Sequence, residues 1–216
     1  MKNAFLACLA CLLLAGRAAA QLPADQESHH KVVFENNTVR ILEGQVPPGD
    51  TTPAHVHAAN GVVVFLSASR FSIELVGGKP VASSVKPGDL KYVNYGDKPV
   101  NHRVWVDSGG VLHFFVVELK QRRARTDSCG ILTGSAARVL WTRPGIRAYA
   151  LEQGSGGRYS IPKSGCPYLV VGIAGKMKLV SAGDTREVSA DEFAFFSGNS
   201  EVEMQGAGYF LLLSVL

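Results

Sequence analysis

Two histidines, His55 and His57, stand two residues apart, directly after the turn residues Gly49 to Pro53 and ahead of a hydrophobic strand. In extended backbone, residues two apart point to the same face, so both imidazoles can grip one metal ion. His102 lies near the start of a later strand, where a third ligand can converge in a small barrel. Imidazole suits zinc, copper, iron or nickel, and three such ligands leave positions open for water or substrate. The expected ligands are therefore His55, His57 and His102, around a divalent transition ion (iron, zinc, nickel, copper or manganese). His113 alternates with Leu112 and Phe114 on an apolar strand and reads first as a satisfied core or barrel-lining histidine. His29 and His30 fall in a polar entry segment and read as a flexible, solvated pair. Glu43, Glu74 and Glu118 sit in strands; each is expected to face solvent, although any one can add a carboxylate.

The elements that must hold these residues are short β runs. Val39 to Val46, Gly61 to Ser67, Arg70 to Val76, Lys91 to Asn94, Arg103 to Val106 and Val111 to Leu119 are the clearest. Pro47-Pro48-Gly49-Asp50, Gly77-Gly78-Lys79-Pro80 and Lys86-Pro87-Gly88-Asp89 punctuate them. From Arg138 the rhythm returns: Leu169 to Ala174, a break at Gly175, Lys176 to Ser181, and a final run from Tyr209 to Leu216. The order and spacing give an all-β chain of two tandem units, 31–120 and 136–216, joined by Gln121 to Ser135. One continuous β domain is the alternative.

The first half resembles the cupin superfamily. That family's first motif opens with Gly, five residues, His, one residue, His, and Gly49, His55 and His57 match it. The Glu that should follow is missing, since Gly61 and Val62 occupy its positions, and Ala68 replaces the closing Gly. Gly88-Asp89 opens the second motif and Gly96 fits its central Gly. Asn94 replaces its Pro, and Pro99 stands where its His belongs, three residues before His102. A loop three residues longer, Asp97 to Asn101, accounts for the shift. The resemblance covers about residues 39 to 119 and implies a double-stranded β-helix, a jelly-roll-like barrel. No histidine follows His113. Aligning Val62 to Ala68 with Leu169 to Gly175 places Pro162 and Ser164 where His55 and His57 stand, so the second half is expected to be structural and metal-free.

The 216 residues are 46% hydrophobic and 19% charged, a globular composition. Lys2, the apolar run Ala4 to Gly16 and the small residues Ala18 to Ala20 read as a signal peptide over residues 1–20, placing the mature chain outside the cell or in the periplasm. Cleavage removes Lys2 and Arg17 and lowers the net charge from +4 to +2, which gives no footprint for nucleic acid. Cys129 and Cys166 remain, either bonded or as two independent buried thiols. Expected partners are a small-molecule ligand or substrate and, through pairing of sheet faces, a second copy of the chain; no transmembrane segment is expected in the mature protein. An ion held by neutral imidazoles keeps its full charge and favours an anionic substrate or dioxygen. Three-histidine cupins include dioxygenases acting on thiols and diketones, so the resemblance implies a metal-dependent dioxygenase-type oxidoreductase. The alternative is a non-catalytic metal- or small-ligand-binding periplasmic module.

Overall fold

The structure, a computed structural model, describes residues 21–120, 129–134 and 136–216. The leader reading of residues 1–20 and the basic cluster Arg122, Arg123 and Arg125 lie outside the described residues. Runs of Val, Ile, Leu and Phe cut by Gly, Pro and Asp favour extended backbone. Strands accordingly dominate, and Ala24–Gln26 is the sole helical turn among the described residues. No helix there is long and apolar enough to cross a membrane.

The strands before residue 120 are β1 (Leu22–Pro23), β2 (His30–Glu35), β3 (Val39–Val46), β4 (His55–His57), β5 (Asn60–Phe65), β6 (Ser69–Leu75), β7 (Val81–Val85), β8 (Leu90–Asn94), β9 (Val100–Gly109) and β10 (Leu112–Leu119). They build two facing sheets, ordered β1-β4-β9-β6-β7 and β2-β3-β10-β5-β8. The later strands are β11 (Ala137–Arg143), β12 (Ile146–Ile161), β13 (Tyr168–Ser181), β14 (Asp184–Ser189), β15 (Phe193–Phe196) and β16 (Val202–Val215). They form a third sheet, β11-β12-β16-β13-β14, with β15 paired to β13. The break expected at Gly175 does not occur. β13 runs through it, and the glycine takes a φ of +85° next to a register shift between Gly172 and Ala174, so it bends the strand without ending it.

The sheet β2-β3-β10-β5-β8 is buried on both faces. Leu42, Val46, Phe65, Phe114 and Val116 point into the space between the first two sheets. Val39, Ile41, Val62, Val64, Phe115 and Val117 point the other way and meet Ile146, Leu169, Leu211 and Leu213 of the third sheet. This explains why Val62 to Phe65 and Phe114 to Val117 are continuously apolar and do not alternate. Beyond the third sheet, Tyr149, Tyr168, Met177, Met204 and Phe210 fill a separate core.

Cys129 and Cys166 form a disulfide, with Cα atoms 5.8 Å apart. Buried Arg147 donates from Nη1 to the Cys129 and Gly130 carbonyls, fastening the entry to the second half. The bridge spans 37 residues, and on the chain-entropy model such a closure stabilises by about 4 kcal/mol. Replacing both cysteines by serine is expected to lower the unfolding free energy by about that amount, read from urea unfolding with the m-value fitted for each protein, since loss of the cross-link expands the unfolded chain. An unmoved midpoint would show that the bridge contributes nothing.

Candidate metal centre

The histidines meet where the first two sheets face each other. Extended β4 puts His55 and His57 on one face and turns Val56 away. β9 runs antiparallel beside it, with His102 directly opposite His55. The longer turn at Tyr95 to Pro99 is taken up before β9 begins, so the shifted spacing does not misplace His102. The two Nε2 atoms, of His55 and His102, lie 3.1 Å apart. The facing sheet contributes His30, whose ring centroid is 4.8 Å from that of His55 and 5.3 Å from that of His57. Nitrogen donors of His30, His55 and His57 all fall within 4.8 Å of one another, and the His57 and His102 rings are 5.2 Å apart. All four side chains are buried.

His30 therefore corrects the expectation of a flexible, solvated pair. The segment before it is tied down at every step. Leu22 pairs with His55, Ala24 enters the core, and Asp25 accepts from Arg40 Nη1 at 2.6 Å. Buried Glu27 accepts from the His29 amide at 2.9 Å, from His29 Nδ1 at 2.7 Å and from His30 Nδ1 at 2.5 Å. His29 Nε2 continues to Asp50 at 3.0 Å. Hydrophobic periodicity cannot reveal such a segment, because charge and not apolar burial organises it. The one available signal is an acid placed beside two adjacent histidines.

These outer partners fix the proton positions. The Pro53 carbonyl only accepts, so His55 Nδ1, 2.8 Å away, carries the proton and Nε2 keeps its lone pair towards the cluster. His30 is oriented likewise by Glu27. His57 Nδ1 is buried without a hydrogen bond; Glu118 Oε1, at 3.8 Å, is at ion-pair and not hydrogen-bond distance. Glu118 is itself buried, contrary to the expectation for strand carboxylates, and its Oε2 accepts from Arg40 Nε at 2.7 Å. The other two carboxylates are engaged elsewhere, Glu74 with Arg103 at 2.8 Å and Glu43 with His113 at 2.8 Å. His113 is satisfied but does not line the barrel. It turns from β10 to the side opposite Phe114 and is only half-buried.

Burial disfavours the charged forms of His55 and His102. Burial pushes His55 down to about 4 and His102 down to about 3, and the neighbouring imidazoles lower both further. Burial opposes ionisation of Glu27, but the hydrogen bonds from His30 and His29 outweigh it and hold the carboxyl at about 2. His29 loses some basicity to burial and regains more from Asp50 and Glu27, so it sits above its ordinary value. Burial of Glu118 is more than offset by His57 and Arg40, which keep it below the ordinary carboxylate range.

These residues fit a metal ion. Two nitrogens bonded to one ion at about 2.0–2.1 Å, at angles between tetrahedral and octahedral, lie about 2.9–3.4 Å apart. The His55–His102 separation of 3.1 Å falls inside that window, though it equally suits a hydrogen bond donated by His102. His30 and His55, each with an acceptor on its outer Nδ1, have the arrangement that metal-bound histidines adopt.

The chain has the cupin fold. It superposes on a cupin 2 conserved barrel domain protein from Leptotrichia buccalis with a TM-score of 0.57 at 13% identity, over 87% of this chain and 88% of that one. A salicylate 1,2-dioxygenase from Pseudaminobacter salicylatoxidans gives 0.57 at 10% identity, over 83% and 71%. The oxalate decarboxylase of Lactobacillus farciminis gives 0.55 at 13% identity, over 83% and 77%. Each match covers more of the chain than either half could supply alone. No family model matches the sequence, and no curated protein matches it.

The lowered histidines set an acid limit. A histidine whose folded value lies below its unfolded 6.5 contributes full stability above 6.5 and loses it as the pH falls towards the folded value. The metal-free protein is therefore expected to melt at progressively lower temperature between pH 6.5 and 4, with protonation of Glu27 adding to the loss below about 4.5. A melting temperature that is flat from pH 7 to 4.5 would contradict the buried, neutral assignment.

Proposed function

We propose that this chain is an exported protein whose buried histidines hold one divalent transition ion and act as a metal-dependent, dioxygenase-type oxidoreductase on a small organic substrate. The observation carrying this reading is the convergence of His30, His55, His57 and His102 from two facing sheets, with the lone pair of His55 turned inward. A bound ion of this kind would supply Lewis-acid and, for a redox metal, oxygen-activating chemistry. His55, His57 and His102 would hold it, as their types and spacing suggest, and His30 would take the place of the Glu missing from the motif. Glu27 and the Pro53 carbonyl orient two of the rings, and the adjoining apolar cavity of about 300 Å³ excludes water around a substrate. The named activity of the salicylate dioxygenase, which shares the fold, supports this reading by analogy.

Export is supported by the leader-like residues 1–20 and by the disulfide, which persists in an oxidising compartment. We further read residues 31–120 and 136–216 as tandem copies of one β unit, the second having exchanged its site for a filled core. A non-catalytic binding module is favoured by one observation. The buried acids near the cluster are already engaged, Glu27 by two histidines and Glu118 by Arg40, so neither is a free general base.

Purified protein is expected to carry about one equivalent of transition metal by elemental analysis, and His55→Ala with His57→Ala to carry none. Equal metal content in that double variant would remove the site. Glu27→Gln keeps the shape but weakens the acceptor behind His30, and is expected to lower metal affinity about 10–100-fold in chelator competition. Oxygen uptake by the iron-loaded protein with diketones, thiols or phenolics marks turnover. Binding of such compounds without uptake leaves the module.

A further inference from the structure

The histidines occupy one end of the cavity between the first two sheets, and the rest of that cavity has a distinct chemistry. From His30 a row of rings runs away from the cluster: Phe114 at 5.5 Å, Phe65 at 6.3 Å from Phe114, and Phe71 at 6.1 Å from Phe65. Gly44 makes the row continuous. It stands on β3 opposite both His30 and Phe114, and a Cβ there would overlap the Phe114 ring, so only glycine lets that ring lean across to His30. Val46, Val104 and Leu112 complete apolar walls.

Charge is confined to the rim. Among the described residues, Asp89 and Lys91 are the acidic and basic side chains of the lining besides the histidines. Lys91 is exposed, and Asp89 is engaged in its own turn, accepting from the Lys86 amide at 2.9 Å. Arg40, a partly buried guanidinium, lines a different hollow and is committed to Asp25 and Glu118. A second ionised group on a ligand would thus be desolvated against phenylalanine and valine without a partner, which costs far more than an apolar group gains there. At the histidine end the reverse holds, since a dication among neutral imidazoles attracts an anionic oxygen donor.

Resting on the metal-site reading above, we propose that the cavity takes a small molecule with one anionic, bidentate oxygen head and an uncharged body of about one aromatic ring. The head lies at the histidines and the ring lies along Phe114 and Phe65. Dicarboxylates and zwitterionic amino acids are excluded by the missing inner counter-charge.

Three hydroxamates share such a head and differ only in the body: benzohydroxamate, acetohydroxamate and 4-carboxybenzohydroxamate. Titrated calorimetrically into cobalt-loaded protein, benzohydroxamate is expected to bind at least about tenfold more tightly than either of the others. Phe114→Ala is expected to shrink its advantage over acetohydroxamate to within about threefold. Equal affinities in the loaded protein, or tightest binding of the carboxylated probe, would overturn the assignment of the body. Cobalt uptake is read separately from its visible absorption. Protein that takes up no cobalt overturns the metal site, and the head assignment with it, and is thereby told apart from a loaded site that ignores the ring.

Discussion

A β-sheet buried on both faces must satisfy two packing problems with one set of strands, and the sheet β2-β3-β10-β5-β8 is under that constraint. Its odd-numbered β3 residues, Val39 and Ile41, are fixed by the third sheet, and Leu42 and Val46 by the first. Because side chains alternate, a one-residue slip would exchange the two sets and ruin both cores. The register thus held also sets His30 opposite Gly44 and delivers Glu118 from β10 to the neighbourhood of His57. The second half carries no histidine, yet by burying the outer face it pins the sheet that supplies the fourth imidazole.

Two buried carboxylates stand behind the cluster, Glu27 hydrogen-bonded to His30 and Glu118 at 3.8 Å from His57. Glu27 and Glu118 are both buried and below their ordinary values, yet they face the outer nitrogens of His30 and His57. Placed there, Glu27 orients the His30 ring, and both acids place negative charge behind the cluster. The expectation of an uncompensated ion at a carboxylate-free site is thereby softened: compensation exists, at second hand, through a chain from Asp50 through His29 to Glu27 and His30. The cluster contains no carboxylate but has acidic support behind it.

Much of this was legible in the residues. Alternation and turn chemistry located β3 at its observed bounds and β5, β6, β8, β9 and β10 within three residues, and the two-residue spacing of His55 and His57 correctly implied a shared face. His102 was legible once the turn was allowed extra length. His30 was not, because its position depends on a segment held by Glu27, Asp25 and Asp50 through polar contacts that have no period. His113 misled for a related reason: on a strand buried on both sides, alternation with Leu112 and Phe114 does not say which face opens into the cavity. Gly175 was read as a terminator because a lone glycine in a strand marks either an end or a bulge, and only the pairing of β13 with β16 decides which.

X-ray absorption at the metal edge of the loaded protein tests the central claim most directly, because it reports the ligands and nothing else. A first shell of nitrogen or oxygen donors at about 2.0–2.1 Å is expected, with the outer-shell scattering of three to four imidazole rings, reduced by one ring in His30→Ala. A shell without imidazole scattering, or one that His30→Ala leaves unchanged, would contradict it.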